Sequence, residues 1–325
     1  MNMKKKKKVL VTYNMFRSGY AELIEKYDVT FPPEGVESFT YDEVLRMIPE
    51  YDALQSMFNF PVDRRLMDAG INLKIISNYA VGYDNVDISY ATQKGIQVTN
   101  TPDPVTEPTA DQAMGLLLAV SRRISELDRR LRFGAVKVGL LDNLGHSLYG
   151  STIGIIGMGR IGQALARRAV AAGMKVVYYN RHQVTREVEE KYGAKYLSLD
   201  ELLCISDVVS INAPHTSETH HLIGERELSM MKSSSILINT ARGPLVDEKA
   251  LVEALRERKI WGAGLDVFEF GDYPSEELLK MDNVVLNPHT GTQTFEVRNE
   301  MAAYVSKNII HFFEGGPVAK VNRID

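Results

Sequence analysis

Four short stretches of the chain carry residue types that could do chemistry. Gly157-Met158-Gly159-Arg160-Ile161-Gly162 follows an apolar run, residues 152–156, and opens a helical pattern that Gly173 ends. Glycines at this spacing allow a tight turn, a close approach of phosphate to backbone and tight helix–strand packing, with the helix N-terminus facing the phosphates. Asn239-Thr240-Ala241-Arg242-Gly243 follows the apolar strand 236–238, and Asn287-Pro288-His289 ends another strand. Asn78-Tyr79-Ala80-Val81-Gly82-Tyr83 is a third strand end, where Gly82 could bare its N–H. An imidazole, a guanidinium and bare N–H groups are equipment for binding a carboxylate and protonating a carbonyl.

The second strand after the glycines speaks to the coenzyme. Eighteen residues beyond Gly162, where a site for NAD would place a carboxylate, the chain reads Asn180-Arg181-His182. Asn180 carries no charge to repel a 2′-phosphate and Arg181 offers a planar cation to bind one. NADP(H) is the expected coenzyme, with NAD(H) as the alternative.

The elements that must position these groups alternate strand and helix along most of the chain, which implies parallel sheets covered on both faces. Pro102, Pro104 and Pro108 mark a domain crossing, followed by a long helix expected over 109–132. A final helix, about 296–313, should return to the first domain. At 325 residues the chain suits two domains, and 44% apolar with 25% charged residues are globular values. A net charge of −4 gives no pull toward nucleic acid, and no apolar run is long enough for a membrane span. The lone Cys204 can build neither a disulfide nor a thiolate metal site, which points to a reducing, cytoplasmic setting, and no metal ligands are assigned. Lys4 to Lys8 read as a solvated tail.

Taken together, these motifs resemble the D-2-hydroxyacid dehydrogenase family over nearly the full length. The resemblance rests on Val81-Gly82-Tyr83-Asp84-Asn85-Val86-Asp87, the glycine motif, Asn239 to Gly243, Gly264-Leu265-Asp266-Val267-Phe268 and Asn287-Pro288-His289. It implies two doubly wound parallel-sheet α/β domains: a Rossmann coenzyme domain (104–292) inserted into a flavodoxin-like substrate domain (1–103 plus 293–325). It also implies a homodimer whose main contact is the long helix, and a small 2-oxoacid of the glyoxylate or hydroxypyruvate type as substrate. By the same resemblance Arg242 holds the substrate, the N–H groups of Val81 and Gly82 take a carboxylate oxygen, and His289 protonates the forming alkoxide. Ala213, Pro214 and Thr219 belong to a loop that closes over the coenzyme; Thr240 and Ala241 border it, and Asp266 bonds the nicotinamide carboxamide. Met57 and Phe58, apolar candidates for the pocket, argue against a phosphorylated substrate.

One position departs from the family pattern. The third catalytic residue, a glutamate five places after Asp266, is here Gly271. Three arrangements are compatible with its loss. Asp272 or Glu269 swings in on a glycine-loosened loop; His289 works alone with a lower pKa; or the chain binds coenzyme without efficient turnover, as a sensor of NADP(H). In the second case Gly271→Glu should raise the pH midpoint of reductase activity.

Overall fold

Apolar runs bounded by glycine, proline and aspartate set two separate sheets in the computed structural model, which describes residues 6–324. The first unit comprises Met1–Val105 and Thr292–Asp325. Its strands are β1 (Lys8–Val11), β2 (Asp28–Thr30), β3 (Ala53–Met57), β4 (Ile75–Tyr79) and β5 (Gln97–Thr99), ordered β2-β1-β3-β4-β5 and all parallel. Strands β3 and β4 are buried along their whole length, as a sheet covered on both faces requires. On one face Val9, Val11, Ala53 and Ile75 pack with Met301, Val305 and Ile309 of the helix Phe295–Glu314, so the end of the chain completes the unit begun by its start.

The second unit, Thr106–Gly291, holds β6 (Thr152–Ile156), β7 (Lys175–Tyr179), β8 (Lys195–Tyr196), β9 (Val208–Ile211), β10 (Ile236–Asn239), β11 (Gly262–Leu265) and β12 (Val284–Leu286). They form a parallel sheet of order β12-β11-β10-β9-β6-β7-β8. The order reverses between β6 and β9, and ligands of open α/β sheets bind at such a point, beyond the carboxyl ends of the strands. This is the doubly wound architecture expected from the alternating pattern.

Local differences have local causes. The expected helix 109–132 is two helices, Thr106–Ser121 and Ile124–Arg132, broken where Arg123 adopts a left-handed backbone, φ 57°. The Arg123 guanidinium bonds Glu126 through Nε (2.8 Å) and Nη2 (2.7 Å) and donates to the Leu144 carbonyl, so it fastens the break to the chain that follows. Pro108 lies in the first turn of the earlier helix, where no N–H partner is needed, so the helix starts before it. Part of the lysine run is not a tail: β1 starts at Lys8, which pairs with Glu50, while Lys7 pairs with Asp52. Lys4 and Lys5 lie outside the described residues.

Candidate active site

The loop after β6 is shaped by what its glycines exclude. Gly157, at φ 100°, would drive a Cβ to 2.7 Å from the Ala213 nitrogen, and one on Gly162 would sit 2.1 Å from the Gly157 carbonyl. Around Gly159, by contrast, a Cβ would meet nothing within 4 Å. Gly159 caps the helix Arg160–Ala171 without any side-chain hydrogen bond. The turn that begins the helix therefore offers N–H groups and the positive end of the helix dipole across an open face. Two buried side-chain oxygens, Asn212 Oδ1 at the end of β9 and Thr240 Oγ1 at the end of β10, have no partner among the described residues. Orphaned acceptors at the strand ends beside such a turn fit a polar ligand like a dinucleotide. Asn212 was not singled out from the sequence; its place directly after an apolar strand was the available signal.

At the end of β7, Asn180 turns back on this loop and its Oδ1 accepts the Met158 N–H at 2.7 Å. Arg181 points across to the loop after β9, its Nη1 3.1 Å from Glu218 Oε2, with both side chains about 70% exposed. In that same loop the Thr219 hydroxyl donates to the Pro214 carbonyl (2.8 Å) and accepts the Thr216 N–H (2.8 Å). Thr219 thus folds Ala213, Pro214 and their neighbours into a compact turn.

The catalytic candidates sit on adjacent strands. Register aligns Asn239 with Leu265 and Leu265 with Leu286, so the segments holding Arg242, Asp266 and His289 leave the sheet side by side. Asn239 shapes the first: its side chain accepts the Ala241 N–H (3.0 Å) and donates to the Arg242 carbonyl (2.9 Å). Arg242 Nη1 donates to the Ala241 carbonyl at 2.8 Å, which orients the guanidinium plane. Next to it, Gly243 lies so close to the backbone of Phe268 that a Cβ would overlap its carbonyl. His289 has a left-handed backbone, φ 54°, held by its N–H donating to the Asp266 carbonyl at 2.9 Å. A non-glycine residue in this region stores strain that is common at functional sites.

Asp266 joins the second and third segments. One carboxylate oxygen accepts the Thr290 N–H (2.8 Å) and hydroxyl (3.2 Å), the other the Gly291 N–H (2.9 Å). Burial pushes its carboxyl above the usual range, and these donors offset that only in part. The folded chain therefore holds this proton more tightly than the unfolded one, and the group's contribution to stability falls as pH rises above about 4. Asp266→Asn should nonetheless destabilise the protein near neutrality by about 1–3 kcal/mol, because an amide NH2 would oppose a backbone N–H donor. Urea unfolding of the two forms measures the difference.

Glu269 is engaged by two other residues. Its Oε1 is 2.5 Å from His221 Nε2 and its Oε2 accepts the Glu248 N–H at 2.8 Å. Both oxygens of Glu269 thus have partners on other segments, so of the two acids named for the swing Asp272 is the one without a described partner. Asp272 stands exposed and makes no hydrogen bond or ion pair among the described residues. Gly271 sits at φ 122°, where any L side chain is strained, so Gly271→Glu carries a backbone cost of about 1–3 kcal/mol that the sequence did not reveal.

In the first unit the chain after β4 is tied down through its carbonyls. Asn78 Nδ2 donates to the Gly82 carbonyl and Asn100 Nδ2 to that of Val81, each at 2.8 Å. The N–H groups of Val81 and Gly82 donate to no described residue.

A switch-point glycine turn, orphaned acceptors at neighbouring strand ends, and an arginine and a histidine from the segments on either side of Asp266 define a dinucleotide-dependent oxidoreductase. Residues 114–291 match the model of the D-isomer specific 2-hydroxyacid dehydrogenase NAD binding domain. The chain is 49% identical over 322 residues to a glyoxylate reductase of Thermococcus litoralis, covering 95% of each. A glyoxylate reductase of Pyrococcus furiosus is 44% identical, over 98% of this chain and 96% of that one. Among solved structures, an NADPH-dependent glyoxylate/hydroxypyruvate reductase of Sinorhizobium meliloti, in complex with NADP and malonate, superposes with TM-score 0.85 at 34% identity, covering 98% and 97%. The chain belongs to the D-isomer-specific 2-hydroxyacid dehydrogenase family.

Proposed function

We propose that this protein reduces small 2-oxoacids of the glyoxylate and hydroxypyruvate type to D-2-hydroxyacids, with NADPH preferred over NADH. The observation that carries it is the delivery of Arg242 and His289 from neighbouring strand ends flanking Asp266. A bound nicotinamide would supply hydride for the carbonyl carbon. Arg242 holds the substrate carboxylate and polarises the carbonyl, work suited to a planar fork of donors. His289 gives its proton to the oxygen as charge develops there. Val81 and Gly82, by their match to the family motif and their bare N–H groups, are assigned to the carboxylate as well. Asp272 is the acid assigned to assist His289, since Glu269 is engaged elsewhere. Gly157 to Gly162, Asn180, Arg181, Ala213, Pro214, Thr219, Thr240, Ala241 and Asp266 are assigned to the coenzyme.

Following nicotinamide absorbance with a panel of 2-oxoacids and both coenzymes tests the reading. Glyoxylate or hydroxypyruvate should turn over; a folded, coenzyme-binding protein that reduces none of them would be a sensor instead. Coenzyme choice is assigned to Arg181, whose exposed pairing with Glu218 a 2′-phosphate would replace. Glu218→Gln should then lower the KM for NADPH about two- to five-fold, since exposed ion pairs are weak, and leave that for NADH unchanged. Equal shifts for both coenzymes would remove the assignment.

A homodimer is supported by the stretch from Ile124 to Tyr149, where Leu131, Phe133, Val138, Leu140 and Leu141 all lie exposed. Apolar side chains at this density suit burial against a second copy. Among the described residues no helix is long and apolar enough to cross a membrane.

A further inference from the structure

The loop after β9 contains His215, His220 and His221, of which the chemistry above uses none. We propose that His220, His221 and Glu269 bind a divalent transition-metal ion such as Zn2+. Their donor atoms, one from each residue, lie within 4.8 Å of one another although Glu269 is 48 residues away in sequence. The rings of His220 and His221 are stacked, 4.0 Å apart and 20° from parallel, which keeps the two imidazoles together. Two imidazoles and a carboxylate are a donor set for borderline ions, with a fourth position left for water or another imidazole. His215 stands beside this set rather than in it, its Nε2 3.4 Å from His220 Nδ1.

The surroundings are built as metal sites are. Glu269 is held by the Glu248 N–H through one oxygen, which aims the other at His221. His221 also has Nδ1 4.0 Å from the Asp247 carboxylate, too far for a hydrogen bond but near enough to add negative charge beside a cation. The backbone of His221 is pinned, its N–H donating to the Pro244 carbonyl at 2.8 Å. A tetrahedral ion with bonds of about 2.0–2.2 Å spaces its donors about 3.3 Å apart. The His221–Glu269 pair opens and the His220 ring draws in to meet that spacing, both by rotation of partly exposed side chains. The ion would fasten the loop after β9 to the segment after β11.

Calorimetric titration of untagged, chelator-treated protein with ZnCl2, and the visible absorption of added Co2+, test this. One ion per chain is expected, with a Kd on the order of micromolar that weakens as pH falls and the imidazoles protonate. His220→Ala changes an exposed ring and should weaken binding at least about 10-fold, since losing even an outer partner of a ligand costs about 10- to 100-fold. Glu269→Gln should do the same; its folding is checked by circular dichroism, because Glu269 also braces a helix. Absence of saturable binding, or an unchanged Kd in His220→Ala, would overturn the proposal.

Discussion

His289→Asn should lower kcat by about 10²–10⁴-fold, the usual range for losing a general acid. Asparagine is the informative replacement because the backbone at this position is left-handed, φ 54°, and asparagine tolerates that conformation better than glutamine or alanine. The Asp266 carbonyl keeps its N–H donor, and the Asp266 carboxylate keeps those of Thr290 and Gly291. Coenzyme affinity, read by fluorescence titration of NADPH, should change little. A kcat within tenfold of the parent would mean that the proton comes from elsewhere.

Arg242→Lys is expected to be nearly as damaging, lowering kcat/KM for glyoxylate by about 10²–10³-fold. The charge survives, so the loss would come from geometry. One guanidinium nitrogen donates to the Ala241 carbonyl at 2.8 Å, which fixes the orientation of a rigid plane of donors. An ammonium has no plane to orient and cannot anchor and grip together. Steady-state kinetics should show KM rising together with the fall in kcat. A change in KM alone would assign Arg242 to binding only.

Much of this was readable in the residue order. The glycine turn, the strand ends and the sheets they close follow from apolar runs and their punctuation, which are local signals. Strands β2 and β8 escaped because two or three edge residues carry no alternation to detect. The break at Arg123 escaped because a charged residue gives no warning of a left-handed backbone; its cause is contacts with Glu126 and Leu144. The same holds for Glu269. Nothing near it in the chain announces His221 or Glu248, and only the fold decides that its carboxylate is taken.

The clasp between Glu248 and Glu269 bears on how the missing glutamate could have been lost. Each acid accepts the other's N–H, at 3.0 and 2.8 Å, and the second oxygen of Glu248 also holds the Ser275 N–H at 3.0 Å. The segment 270–274 is therefore anchored at both ends; within it Gly271 bridges back to Phe268, while Asp272 stands exposed. Exchange at Asp272 leaves those anchors in place, whereas Gly271, at φ 122°, takes no side chain without strain.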